Sequence, residues 1–252
     1  REQPDAIVSV DTYRPLVARR CVEEFGADII NDVSEGGLTG IVNTPIHEAE
    51  SMFDVVGELK CPYILMSVKP TLREMMKAFA GEIQQLRDRG AKDIILDPGF
   101  GFGKTLEQNY DLMAGMAELQ ALHLPVLVGI SRKSMIWKLI GGTPATALPG
   151  TTALHALAVE RGASILRVHD VAEAGQTVAG LVLILLLGGG VEQAEDVFEP
   201  LMGAQTVQKL AYLFLEEDEQ GQYTHAYQFV HDGSQQTHLE YMGHEEPQHH
   251  KH

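Results

Sequence analysis

Cysteine is nearly missing. Only two occur in 252 residues, Cys21 within a helical pattern and Cys61 just ahead of a strand, with no metal-ligand partner nearby in sequence. A disulfide framework is therefore not expected, and a reducing cytoplasm is the simplest compartment. Positive charge is scarce as well: 19 Lys and Arg stand against 35 Asp and Glu, for a formal net charge of −16. That balance disfavours nucleic acid and other polyanions as partners. Long apolar runs are lacking too. Val178–Leu187 falls far short of the roughly 20 residues that span a bilayer, so it reads as a buried helix or strand closed by Gly188-Gly189-Gly190. No secretory leader pattern is expected at the start, and no membrane contact.

What is present is ordinary for a globular chain: 44% hydrophobic and 21% charged residues, with length enough for one α/β barrel or two smaller domains. Short β-branched runs alternate with longer helical patterns over residues 1–187. Strands are expected at 6–10, 28–31, 62–67, 93–96, 125–129 and 164–168. Helices are expected at 14–25, 46–58, 71–90, 106–122, 133–140 with 151–161, and 172–187. Pro45 and Pro70 sit near helix starts, and Gly26, Gly90 and Gly162 follow helix ends. Repetition of this unit implies a parallel sheet with crossover helices; about six βα units are present, and a closed (β/α)₈ barrel, the fold type that the resemblance given below implies, needs eight.

Residues 188–252 read differently and form a separate acidic extension. They hold twelve Asp and Glu against two Lys and Arg. A helix is expected over 191–215, followed by a charged loop, Glu216–Gly221. Tyr223–Val230 and Thr237–Met242 flank His231-Asp232-Gly233-Ser234, a hairpin signal. From Gly243 on, the composition is that of a disordered end. Seven of the eleven histidines lie here, and His249-His250-Lys251-His252 can scavenge metal. Without Cys or acid at ligand spacing, a polar tail is the plainer reading.

Chemistry concentrates at strand ends. Asp97-Pro98-Gly99-Phe100-Gly101-Phe102-Gly103-Lys104 places an acid after three aliphatics and before a glycine-rich turn, where α/β proteins put ligands. An unpaired carboxylate at such a half-buried mouth is costly, so Asp97 requires a partner. Asp11 ends the first strand and suits either a ligand's amine edge or a helix N-cap. Asn31 offers donors and an acceptor together, while Asp32 suits fixing a loop; a plain turn is the alternative for both. In Ser131-Arg132-Lys133-Ser134, the helix dipole opposes a lysine at a helix start, which favours an acid or an electron-rich ligand opposite it; a solvated basic face is the alternative. Strand alternation puts Arg167 and His169 on one face, as an anion site; an Arg167–Asp170 ion pair is the structural alternative.

Together these segments resemble dihydropteroate synthase, in order and at family-like spacing, over residues 7 to about 178. The resemblance implies condensation of 7,8-dihydropterin-6-ylmethyl diphosphate with p-aminobenzoate, with Mg²⁺ as cofactor and sulfonamides as competitors. It implies pterin contacts from Asp11, Asn31, Met66, Asp97 and Lys133. Phe102 and Ser134 would line the p-aminobenzoate pocket, and Arg167 and His169 would meet the diphosphate. With Lys133, those two would be the catalytic groups. Met66-Ser67 departs from the family's usual Met-His. The family's first two strands, with their Asn-x-Thr-Pro-Asp-Ser-Phe and Glu-Ser-Thr-Arg-Pro loops, do not occur in these residues. The family's asparagine metal ligand lies in that segment, so no metal ligand is expected here. Asn43-Thr44-Pro45 echoes the first loop after the wrong strand. A non-catalytic pterin-binding fragment is one alternative. A methyltetrahydrofolate-dependent methyltransferase is another, opposed by Ser-Arg-Lys-Ser and Arg-Val-His-Asp-Val. Open sheet edges lead to an expected homodimer.

Overall fold

Six aliphatic runs become parallel strands, and all but β5 end on or just before a polar group. They are β1 (Ile7–Asp11), β2 (Ile29–Asp32), β3 (Tyr63–Met66), β4 (Ile94–Asp97), β5 (Leu127–Val128) and β6 (Ile165–Leu166). The computed structural model describes residues 6–37, 50–187, 210–217 and 223–228. Between the strands run α1 (Pro15–Glu23), α2 (Met52–Leu59), α3 (Leu72–Asp88), α4 (Leu106–Gly115), α5 (Ser134–Ile140) and α6 (Leu148–Glu160), and α7 (Val171–Leu187) follows β6. The run Val178–Leu187 is thus helix.

Strands β1 to β4 pair in chain order, and β5 pairs with β6. A bridge between Leu96 and Val126 joins the two groups. Register decides which strand-end residues meet: Asp11 stands opposite Asn31, and Met66 opposite Asp97. β3 is buried at every position, as a parallel strand covered on both faces must be. The core joins Val10, Ile30, Tyr63, Leu65, Ile94, Leu96 and Val128 to Phe53, Met75, Phe79, Leu86 and Leu112 from the helices. Truncating fully buried Phe79 to alanine would cost about 3–5 kcal/mol.

Several boundaries differ from those read in the sequence. α2 starts at Met52, because Ser51 and Asp54 form a reciprocal capping box; residues 46–49 and Asn43-Thr44-Pro45 lie outside the described residues. The 106–122 helix divides at Gly115 into α4 and a 3-10 helix, Met116–Leu122. A Cβ at Gly115 would lie 2.7 Å from Leu72, so the glycine allows close approach to α3 at a cost in helix propensity.

The C-terminal expectation needs the largest correction. Leu210–Leu215, expected as helix, belongs to strand β7 (Leu210–Glu217). β7 lies parallel to the outer edge of β1, from Ile7↔Leu210 to Val10↔Leu213, and β8 (Tyr223–Gln228) returns antiparallel to it. The aliphatic and aromatic run Leu210-Ala211-Tyr212-Leu213-Phe214-Leu215 suits either state, and pairing with β1 selects strand. Residues 218–222 link β7 to β8 along the chain, and the expected turn His231–Ser234 lies outside the described residues. Residues 191–209, Thr237–Met242 and the His-rich end lie outside the described residues. Among the described strands, β6 and β8 are not paired with each other.

Candidate active site

Asp97 is fully buried at the end of β4. Its Oδ1 accepts the Gly99 N–H at 2.8 Å, and its Oδ2 accepts from Arg167 Nη2 at 3.0 Å. A buried carboxylate is costly without such a partner. Arg167 arrives from just beyond β6, anchored by its N–H on the Val128 carbonyl at 2.9 Å. Its guanidinium crosses the backbone of Gly129, where a Cβ would lie 2.7 Å from Nη2. The Arg167–Asp170 pair weighed from sequence is not formed, because Asp97 takes Arg167. Asp170 instead takes both Nε and Nη2 of Arg132, at 2.8 and 2.6 Å.

Asp11 accepts from Asn31 Nδ2 at 2.9 Å. It is not the N-cap of α1, which is Arg14. Burial pushes the Asp11 carboxyl up to about 6, while the Arg167 charge and the Asn31 hydrogen bond oppose the rise. Asn31 is itself buried, and its Oδ1 has no hydrogen-bond partner among the described residues. An unmet acceptor at a strand mouth is what a ligand donor would satisfy. Asp32 instead fixes its surroundings, accepting from Ser34, the Gly36 N–H and the Tyr63 hydroxyl.

The opposite wall is basic. Lys133 Nζ donates to the Phe100 carbonyl and sits 4.4 Å from the centre of the Phe102 ring. Lys104 Nζ donates to the carbonyls of Ser67, Gly99 and Phe102 at 3.1, 3.0 and 3.3 Å. Burial pulls each ammonium down to about 8, against the attraction of Asp97. The glycine loop allows this packing: Gly99 has φ 65°, and a Cβ there would lie 2.1 Å from the Ser67 oxygen. Met66 is buried beside Asp97 in register, and Ser134 opens α5.

The structure thus gathers Asp11, Asn31, Asp97 and Arg167, with Lys133 and Phe102 across from Asp97. Arg167 and His169 take different protein partners. β6 stops at Leu166, so strand alternation does not govern 167–169. His169 goes to Ser131, with Nδ1 and Oγ 2.8 Å apart, and burial lowers its pKa. Sequence reasoning missed the roles of Lys104, Gly129 and Arg132. Lys104 stood in plain view as the last residue of the glycine string. Among the described residues, no three His, Cys, Asp or Glu side chains cluster as a metal cage.

Acids and an amide at the mouths of β1, β2 and β4, answered by cations beyond β5 and β6, mark a barrel-type α/β protein with a candidate ligand site at the C-terminal strand face. The chain belongs to the pterin binding enzyme family, which it matches over residues 1–169. It is 38% identical over 172 residues to the dihydropteroate synthase of Escherichia coli (strain K12), covering 66% of this chain and 60% of that protein. The chain therefore spans about 60% of the length of that relative. Among solved structures it resembles Yersinia pestis dihydropteroate synthase with a pterine-sulfa conjugate, with TM-score 0.65, 31% identity and coverage of 74% and 71%. It also resembles the Xanthomonas albilineans dihydropteroate synthase with 4-aminobenzoic acid, with TM-score 0.61, 34% identity and coverage of 72% and 65%.

Proposed function

We propose that this site carries out dihydropteroate synthase chemistry in folate biosynthesis. The observation that carries the reading is the Asp11–Asn31–Asp97–Arg167 group, in which Asn31 and Asp97 are buried and the Asn31 acceptor is unmet. Asp97, Asp11 and Asn31 would take the amine and lactam edge of the pterin, with Met66 against its face and Lys133 at its rim. Phe102 and Ser134 would seat p-aminobenzoate. One guanidinium nitrogen of Arg167 is committed to Asp97, and the rest of its fork, with His169, would meet diphosphate. In the reaction the methylene C–O bond breaks, a C–N bond forms to the aniline nitrogen, that nitrogen loses a proton, and pyrophosphate departs. The residues contribute by holding both reactants in line and stabilising the leaving anion.

Mg²⁺ would neutralise charge on the diphosphate. Among the described residues no cluster of His, Cys, Asp or Glu forms a protein cage for it. Sulfonamides would compete at the p-aminobenzoate end; the ligand of the Yersinia pestis relative supports this. No described helix is long and apolar enough to cross a membrane, and a cytoplasmic homodimer completes the proposal.

A second reading, pterin binding without turnover, is favoured by the 60% span of the relative. Pyrophosphate release measured with both substrates, and again without p-aminobenzoate, separates the two. Release that depends on p-aminobenzoate supports the synthase. Pterin binding by calorimetry with no release supports the binder, and no pterin binding sinks both.

A further inference from the structure

We propose that Glu35 is a positioning residue, whose buried carboxylate fastens the mouth of β3 and, through Ser67 and Lys104, sets the place of the glycine loop 99–103. For its effect on ligand the inference rests on the pterin reading above. Glu35 follows β2 with a left-handed φ of 51°, a conformation that a residue with a side chain keeps only when its surroundings hold it there. What holds it is a set of three donors from one short segment. Oε1 accepts from Ser67 Oγ at 3.0 Å and from the Val68 N–H at 2.8 Å, and Oε2 accepts from Lys69 Nζ at 2.8 Å. The Glu35 side chain has no exposed surface, whereas that of Lys69 is 34% exposed. A buried anion thus draws residues 67–69 down onto the loop after β2.

Ser67 passes that constraint on. Its N–H donates to the Asp97 carbonyl at 2.8 Å, and its own carbonyl accepts from Lys104 Nζ at 3.1 Å. The same ammonium holds the carbonyls of Gly99 and Phe102. Gly99 lies so near the Ser67 oxygen that a Cβ would come within 2.1 Å of it. A shift of Ser67 therefore moves Gly99 and Phe102, and with them the wall facing Lys133. Glu35 touches none of these loop atoms in its own hydrogen bonds. Its influence on the loop is relayed.

The test uses the full chain with Glu35→Ala and Glu35→Gln, and it reads two quantities in folded protein. One is amide hydrogen exchange at Gly99, Gly101 and Phe102, whose N–H groups are bonded to Asp97, Asn109 and Gly99. The other is affinity for the bare pterin alcohol by calorimetry. Glu35→Ala is expected to speed exchange at those amides and to weaken pterin by about tenfold or more. Glu35→Gln keeps an acceptor for Ser67 and Val68 and is expected to restore most of both. A merely structural glutamate would lower the unfolding temperature and leave folded-state pterin affinity unchanged, which overturns the proposal. So does unchanged exchange in the loop. If Glu35→Ala does not fold, Ser67→Ala decides, since it keeps Glu35 with Val68 and Lys69 and removes only the hydroxyl's bonds to Glu35 and from the Lys69 N–H, and it should loosen the same amides less. A wild-type chain that binds no pterin would sink the pterin reading, while the exchange comparison would still judge Glu35.

Discussion

At Gly129 the methyl of alanine would stand 2.7 Å from the Arg167 guanidinium, and two backbones fix that geometry. Gly129→Ala should therefore push Arg167 off Asp97 and cost about 1–3 kcal/mol of stability, read by urea unfolding. It should weaken the diphosphate-bearing pterin more than the pterin alcohol, because only the former needs the fork. Equal losses for both ligands would mean that Arg167 does not serve phosphate. Asp11 gives a second test, with opposite signs for folding and for binding. Its folded pKa, about 6, lies above the ordinary 3.8, so its stabilising contribution is fully present below 3.8 and lost as pH rises through 6. A pterin edge that donates to the carboxylate favours the ionised form. Pterin affinity should then fall as pH drops through about 6, while the unliganded fold gains stability over the same window. Asp11→Asn should flatten both profiles in calorimetry and unfolding.

Helix α3 shows how an element can be legible while one of its residues is not. The apolar positions Met75, Phe79 and Leu86 recur at helical spacing, and Thr71 caps the start, so the helix could be read from the sequence. Glu82 occupies the same buried face, which no hydrophobic pattern announces. Burial first, and the Glu35 charge second, push its carboxyl up to about 7, with Lys69 opposing. Its Oε2 has no hydrogen-bond partner among the described residues. Stability owed to Glu82 is fully present below its ordinary 4.5 and is lost as pH rises through 7. Glu82→Gln should accordingly stabilise the fold by about 2–3 kcal/mol at pH 8, and hardly at all near 4.5, in parallel thermal melts. A gain of the same size at both pH values would show that charge is not the cause.

The strand mouths were legible for a related reason: Asp97 follows three aliphatics, and Asn31 and Asp32 follow two. Glu35 was not. It lies in a Ser-Glu-Gly-Gly stretch that looks like a plain turn, and its partners are more than thirty residues away. β7 was hidden because its run of apolar residues suits both periods, and only the edge of β1 decides between them.

For the whole molecule, the outer edge of β1 is where the sheet composition departs from a plain series of βα units. β7 pairs there in parallel and β8 closes the ladder in the antiparallel sense. In a barrel of successive βα units, that edge belongs to the preceding strand. The family resemblance assigns it to a segment whose loops do not occur in these residues. A preceding strand and β7 cannot both bond the N–H and C=O groups of Ile7–Val10, so they compete for one edge. Joining a family N-terminal segment with both loops ahead of Ile7 should displace Leu210–Leu213 from β1, seen as faster exchange of the β7 amides. It should also raise pyrophosphate release by orders of magnitude over a polypeptide of residues 1–252, through better placement and charge stabilisation of the reactants. Equal turnover by the two polypeptides, with β7 still protected in both, would show that the β7–β8 ladder already supplies what the added strands would bring. Faster turnover without loss of β7 protection would show instead that the loops act without taking the β1 edge, and the competition would be refuted.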